Sequence, residues 1–141
     1  MTSFFHSYDL RGVFPDEISL DEAEKVGKAY GTYAEAEEVL IGRDGRENGS
    51  EVAQAFIDGV CSTGTDVAYV GMAPTSLVYF GQVRDGFDSA AVVTASHNPP
   101  EYTGFKFNRS GGVAMSRQGG MKNIQDIYES EDFDTGSGTV R

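Results

Sequence analysis

Residues 90–100 read Ala90-Ala91-Val92-Val93-Thr94-Ala95-Ser96-His97-Asn98-Pro99-Pro100. The first five are small or β-branched and show no polar alternation, which is the pattern of a strand buried on both faces. The two prolines prevent the chain from continuing as a helix or a strand ladder, so a polar loop must leave the strand end. Working outward, residues 67–71 and 39–41 repeat the short apolar run. Between them lie stretches with helical spacing. Leu20, Ala23, Gly27, Tyr30 and Ala34 form one stripe, widened by Val26 and Tyr33, with Ser19 and Glu22 placed as a capping box. Val52, Ala53, Phe56, Ile57, Val60 and Cys61 form a second stripe, ended by Gly64. Residues 74–84 and 118–128 predict two more helices. Residues 4–10 predict a further strand, and so does the alternation of Phe105 and Phe107 about Lys106. Strands alternating with helices predict the α/β class, a three-layer α/β/α sandwich with a mostly parallel mixed sheet. Residues 1–130 are expected to form the domain, and residues 131–141, acidic and then Gly/Ser/Thr-rich, a linker-like tail.

Composition narrows the function. The 141 residues suffice for one core. With 22 acidic and 11 basic residues the formal charge is −11, which disfavours nucleic-acid and anionic-membrane partners. The acidity is evenly spread and lysines are few, as in proteins adapted to concentrated salt, so a halophilic source is expected. Cys61 is the only cysteine, which excludes a disulfide framework and a cysteine-rich zinc site. No apolar run approaches the about 20 residues that cross a bilayer. Residues 1–6 lack the blocks of a signal peptide, so a cytoplasmic location is expected.

In open α/β sheets, ligands sit beyond the carboxyl ends of parallel strands. Three such ends carry polar groups: Tyr8-Asp9-Leu10-Arg11-Gly12, Gly42-Arg43-Asp44-Gly45-Arg46 and Thr94-Ala95-Ser96-His97-Asn98-Pro99. If they converge, Arg11 and Ser96 face one cavity, and Lys106 lies close enough in sequence to return to it. A serine hydroxyl among Arg, Lys and His suits a phosphate, because cations stabilise the equatorial oxygens of a transferring phosphoryl group. Arg43, Asp44 and Arg46 are expected to brace the loops by ion pairs. No G-x-x-x-x-G-K-[ST] or G-x-G-x-x-G phosphate loop occurs, and no G-x-S-x-G elbow surrounds Ser96. Ser96 and His97 are chain neighbours, poorly disposed to act as nucleophile and base. His6 and His97 have no metal-ligand spacing.

The segment Thr94-Ala95-Ser96-His97-Asn98-Pro99, followed by Thr103-Gly104-Phe105-Lys106, resembles the phosphoserine loop of the α-D-phosphohexomutases, the phosphomannomutase/phosphoglucomutase family. Tyr8-Asp9-Leu10-Arg11-Gly12 and Gly42-Arg43-Asp44-Gly45-Arg46 resemble two further elements of its first domain, in the same order. The resemblance implies that Ser96 carries a phosphate. It passes to C1 or C6 of a hexose monophosphate, the bisphosphate turns round, and its other phosphate returns to the serine. It implies Mg²⁺ bound to Ser96 through that phosphate. It also implies that Lys106 takes part in proton transfer and phosphate contact, that Arg11 stabilises the phosphoryl group, and that Tyr8, His97 and Asn98 belong to the site rim or loop.

The chain departs from the family pattern in lacking the acidic metal loop, the sugar-selecting loop and the last phosphate-binding loop. A hexose phosphate is therefore the expected substrate, but the isolated chain is expected to turn over little. The missing domains would act in trans or through self-association. Otherwise the chain is a non-catalytic sugar-phosphate-binding or interaction module, or one half of a split enzyme.

Overall fold

The computed structural model describes residues 4–141. In chain order the elements are β1 (Leu10–Val13), α1 (Leu20–Ala34), β2 (Glu38–Arg43), α2 (Gly49–Cys61), β3 (Asp66–Met72), α3 (Thr75–Asp85), β4 (Ala90–Val93), β5 (Tyr102–Arg109), β6 (Val113–Ala114) and α4 (Lys122–Ser130). The sheet order is β1-β5-β4-β2-β3, with β6 on β5. β2 pairs in parallel with both β3 and β4, whereas β5 runs antiparallel to β4 and β1. β1 to β4 thus share one direction, as the α/β expectation requires.

The two faces bury different cores. On one, Leu10, Val39, Ile41, Ala91, Val93, Phe105 and Phe107 meet α1, α2 and α4. Tyr30 and Phe107 stack with ring centres 4.7 Å apart, and Phe56 lies 4.9 Å from Phe105. On the other, Leu40, Ala68, Ala90 and Val92 lie under Val78 of α3. These are the three layers. The predicted box at α1 is formed, since the Ser19 hydroxyl accepts the Glu22 amide at 3.2 Å and the Glu22 carboxylate accepts the Ser19 amide at 3.0 Å.

Three local expectations are corrected. Residues 4–10 do not form the first strand. Phe4 and Phe5 are instead drawn into the core against Tyr128, and the ladder begins at Leu10, where β5 offers a partner in register. The last helix starts at Lys122, not residue 118, because Gly119 and Gly120 leave helical backbone angles within a wide preceding turn, Arg117–Met121. The tail expected to resemble a linker lies along the free edge of β3. The Val67 amide donates to Thr139 at 2.8 Å, the Arg141 amide to Val67 at 3.0 Å, and Arg141 forks onto Glu38 at 2.8 and 3.0 Å. An open strand edge presents unpaired amides and carbonyls, and the extended tail satisfies them. Residues 1–3, part of the stretch examined for a signal peptide, lie outside the described residues. Among the described residues no helix is long and apolar enough to cross a membrane.

Candidate active site

β2 and β4 are parallel neighbours, so the loops leaving their carboxyl ends must lie side by side. The β4 loop carries Ser96, which is exposed and has a φ of 56°, in the left-handed region that a residue with a Cβ rarely adopts. Its amide donates to Thr94 Oγ1 at 3.0 Å, and Thr94 Oγ1 donates to Asp44 Oδ2 at 2.7 Å. The Asn98 amide and Asn98 Nδ2 both donate to the Ala95 carbonyl, at 3.1 and 2.7 Å, closing the turn. The side-chain amide of Asn98 is thereby turned onto its own loop.

The β2 loop supplies the brace. Arg46 is largely buried and donates from Nη2 to Ser96 O and Asn98 O, at 2.8 and 2.9 Å. From Nη1 it donates to Pro99 O and Tyr102 O, at 2.6 and 3.3 Å, and from Nε to Asp44 Oδ2 at 3.0 Å. Asn48 Nδ2 also donates to Tyr102 O at 3.3 Å. The expectation that Asp44 and Arg46 brace loops holds, although most of the bonds go to backbone carbonyls. Arg43 turns to the Tyr69 hydroxyl and the Asp44 carbonyl. Sequence reasoning did not single out Thr94 or Asn48. The signal available was the neighbouring position of the two strand ends.

Beside this loop lies a cleft of about 520 Å³. Tyr8, Asp9, Arg11 and Lys106 line it, with Thr75 and Tyr79 of α3 opposite. Arg11 pairs across the ladder with Gly104, and the Thr94 amide donates to the Gly104 carbonyl at 2.8 Å. Arg11, Gly104 and Thr94 are therefore neighbours across three strands. Lys106 lies on the same face two residues from Gly104, level with Val92, whereas Ser96 lies two residues beyond Thr94 in the opposite direction. Arg11 is held by Asp9 at 3.1 Å while part of its side chain remains exposed. The structure brings Tyr8, Arg11 and Lys106 together in the cleft and sets Ser96, exposed His97 and Asn98 on the adjoining loop. Two cations share the cleft, and the exposed Ser96 stands outside its lining, on the loop that follows the neighbouring strand β4.

Among the described residues no group of three His, Cys, Asp or Glu side chains is placed to hold a metal ion. Ser96 would offer oxygen ligands only if it carried a phosphate, and then from one residue. The described residues therefore do not by themselves fit a complete Mg²⁺ site.

Residues 2–135 match the family model described as phosphoglucomutase/phosphomannomutase, alpha/beta/alpha domain I. A probable phosphoglucosamine mutase of Thermococcus kodakarensis is 39% identical over 94% of this chain and 29% of its own length. A phosphomannomutase of Escherichia coli is 35% identical over 94% of this chain and 29% of its own length. The crystal structure of a phosphoglucomutase/phosphomannomutase family protein from Burkholderia thailandensis superimposes with a TM-score of 0.89 at 35% identity, covering 100% of this chain and 33% of that one. The chain thus spans under a third of the length of the two curated relatives.

Proposed function

This chain belongs to the phosphoglucomutase/phosphomannomutase family, as its α/β/α domain I, and we propose that Ser96 is the phosphoryl carrier of a hexose-phosphate mutase. In this reading a sugar 1,6-bisphosphate loads the serine. The phosphorus–oxygen bond to the sugar breaks, the bond to Ser96 Oγ forms, and the serine proton ends on the released sugar hydroxyl. Running the step backwards onto the other hydroxyl of a hexose monophosphate completes the interconversion of the 1- and 6-phosphates.

Arg11 and Lys106 stabilise the charge on the transferring phosphoryl oxygens, and Lys106 handles the proton. Tyr8 borders the sugar. His97 flanks the phosphate, and Asn98 serves by shaping the loop. A Mg²⁺ on the phosphoserine oxygens would need ligands from beyond this chain. We accordingly propose that the chain alone accepts a phosphoryl group on Ser96 but completes the interconversion slowly or not at all, and that further domains complete the site for turnover.

One observation carries this reading: an exposed serine held at positive φ on the loop leaving the carboxyl end of a parallel strand, in a sheet whose next two strands, β5 and β1, carry the cleft cations Lys106 and Arg11. The test is incubation with glucose or mannose 1,6-bisphosphate, followed by intact mass and peptide mapping. Gain of one phosphoryl group on the Ser96 peptide, absent in Ser96→Ala, is expected. No gain, or an equal gain in Ser96→Ala, would overturn the proposal.

A further inference from the structure

We propose that Arg46 is a positioning residue for the phosphoryl carrier, a guanidinium clamp that holds Ser96 in its left-handed conformation and touches no substrate. The inference rests on the phosphoserine reading above and assigns a role to the Gly42-Arg43-Asp44-Gly45-Arg46 segment.

An arginine side chain has five N–H donors in a fixed planar fork. Here all five are used, one on Asp44 and four on the carbonyls of Ser96, Asn98, Pro99 and Tyr102. No donor is left for a phosphate, so Arg46 differs in kind from the cleft cations Arg11 and Lys106. The four carbonyls span the whole serine loop and the start of β5. A single rigid group thus sets the loop's curvature and ties it to the β2 end.

Asp44 links the clamp to the serine from the other side. Its Oδ2 accepts both Arg46 Nε and Thr94 Oγ1, and Thr94 Oγ1 in turn accepts the Ser96 amide. Ser96 is therefore gripped at its carbonyl by Arg46 and at its amide through Thr94. A non-glycine residue at φ 56° persists only where its surroundings over-determine it, and these two grips do so. Lysine cannot replace the clamp, since its ammonium has three donors and no planar fork.

The test uses the full chain and the rate of phosphoryl uptake from a sugar 1,6-bisphosphate. Arg46→Ala is expected to slow uptake about 100-fold, the scale of a small misplacement of a reacting group, while leaving the half-saturating bisphosphate concentration unchanged. Added guanidinium chloride at millimolar concentration restores part of the rate in Arg46→Ala. It does so neither in the wild type nor in Arg46→Lys, which stays as slow as the alanine variant. A purely structural role predicts no such rescue. Uptake at the wild-type rate in Arg46→Ala or Arg46→Lys would overturn the proposal, as would a raised half-saturation with an unchanged limiting rate. Should Arg46→Ala fail to fold, Arg46→Lys carries the rate test.

A second readout separates this proposal from the one it rests on. The Cα and Cβ chemical shifts and the amide coupling of Ser96 report its φ without any phosphate. They are expected to leave the left-handed range in Arg46→Lys, and unchanged values would overturn the clamp. If the wild-type chain takes up no phosphate, the phosphoserine reading fails, while these shifts still decide whether Arg46 holds the loop.

Discussion

Gly27 of α1 and Gly59 of α2 are reciprocal contact points. Gly27 lies against the backbone of α2 at Phe56 and Val60, and Gly59 against that of α1 at Glu24 and Lys28. A methyl group at either position would enter a peptide carbonyl that cannot rotate aside. Alanine in mid-helix gains about 1 kcal/mol of helix propensity over glycine. Overpacking costs about 1–3 kcal/mol, more where backbone must move. Gly27→Ala and Gly59→Ala are each expected to lower stability by about 2 kcal/mol, read as a reduced urea midpoint. A midpoint at or above the wild-type value would refute the close crossing.

At Ser96 the proposed phosphoryl-carrier role is set against stability. The left-handed conformation costs an L-residue about 1–2 kcal/mol, which glycine avoids at some cost in chain entropy. Ser96→Gly is expected to raise stability by about 1 kcal/mol and to abolish phosphoryl uptake. Ser96→Ala should lose uptake with stability unchanged. Equal urea midpoints for the glycine and alanine variants would count against the strain.

Lys106 and Arg11 line one cleft, and in the proposed function both stabilise the charge of one transferring phosphoryl group. Loss of a single stabilising donor costs about 10²–10³-fold in rate. Lys106→Ala and Arg11→Ala are each expected to slow loading of Ser96 on that scale. The double variant should fall short of the product of the two, because neighbours couple. Strictly multiplicative losses would place the two residues at independent sites.

Tyr30 makes stability fall in alkali. Its ring is fully buried and its hydroxyl lies 2.7 Å from Ser89 Oγ. Burial pushes the phenol well above its ordinary value, and the Ser89 hydrogen bond offsets part of that. Tyr128 is pushed up to about 12, mainly by burial, with Glu22 and Glu131 adding to the shift. A raised folded pKa means the folded state keeps a proton the unfolded chain loses. The contribution is therefore complete below about pH 10 and declines above it. Tyr30→Phe should cost about 1 kcal/mol at neutral pH and flatten the alkaline decline, with Tyr128 sustaining the remainder. Urea midpoints across the alkaline range test this, and an unchanged slope in Tyr30→Phe would contradict it.

Docking of residues 131–141 should weaken in acid. Hydrogen bonds from Arg141 hold the Glu38 carboxyl below the usual carboxylate range. A lowered folded pKa places the contribution above the unfolded value of about 4, and it is lost as pH falls through the lower folded value. The Arg141 amide, which donates to Val67, should be more protected from hydrogen exchange near neutrality than in acid. Arg141→Ala is expected to remove protection from Tyr69, whose amide donates to the Arg141 carbonyl. Equal protection of Tyr69 in both proteins would show that the ion pair does not hold the tail.

The legible parts of the fold were those with a periodic signal. The stripes through Ala23, Val26, Gly27 and Tyr30 and through Val52, Phe56 and Val60 became the buried faces of α1 and α2. The apolar run at Ala90–Val93 became a central strand. Phe4 and Phe5 misled because a phenylalanine pair suits a strand and a core equally well, and Tyr128 decides between them from the far end of the chain. Gly119 and Gly120 look tolerable in a helix pattern until their backbone angles are seen. In the candidate site, residue types showed that Ser96, Arg11 and Lys106 suit phosphate chemistry. They did not show that Asn98 spends its side chain on Ala95.

Local chemistry alone determined the class of fold, the polar loop after the buried strand and the kinds of residue able to handle a phosphate. Those properties depend on side chains a few positions apart. Tertiary structure alone decided that Arg46 spends four of its five donors on the serine loop and the start of β5, that Arg11 and Lys106 share a cleft, and that the tail closes the edge of β3. Each of these is a contact between segments distant along the chain. Hydrogen-bond geometry across parallel strands exists only once the sheet order is set.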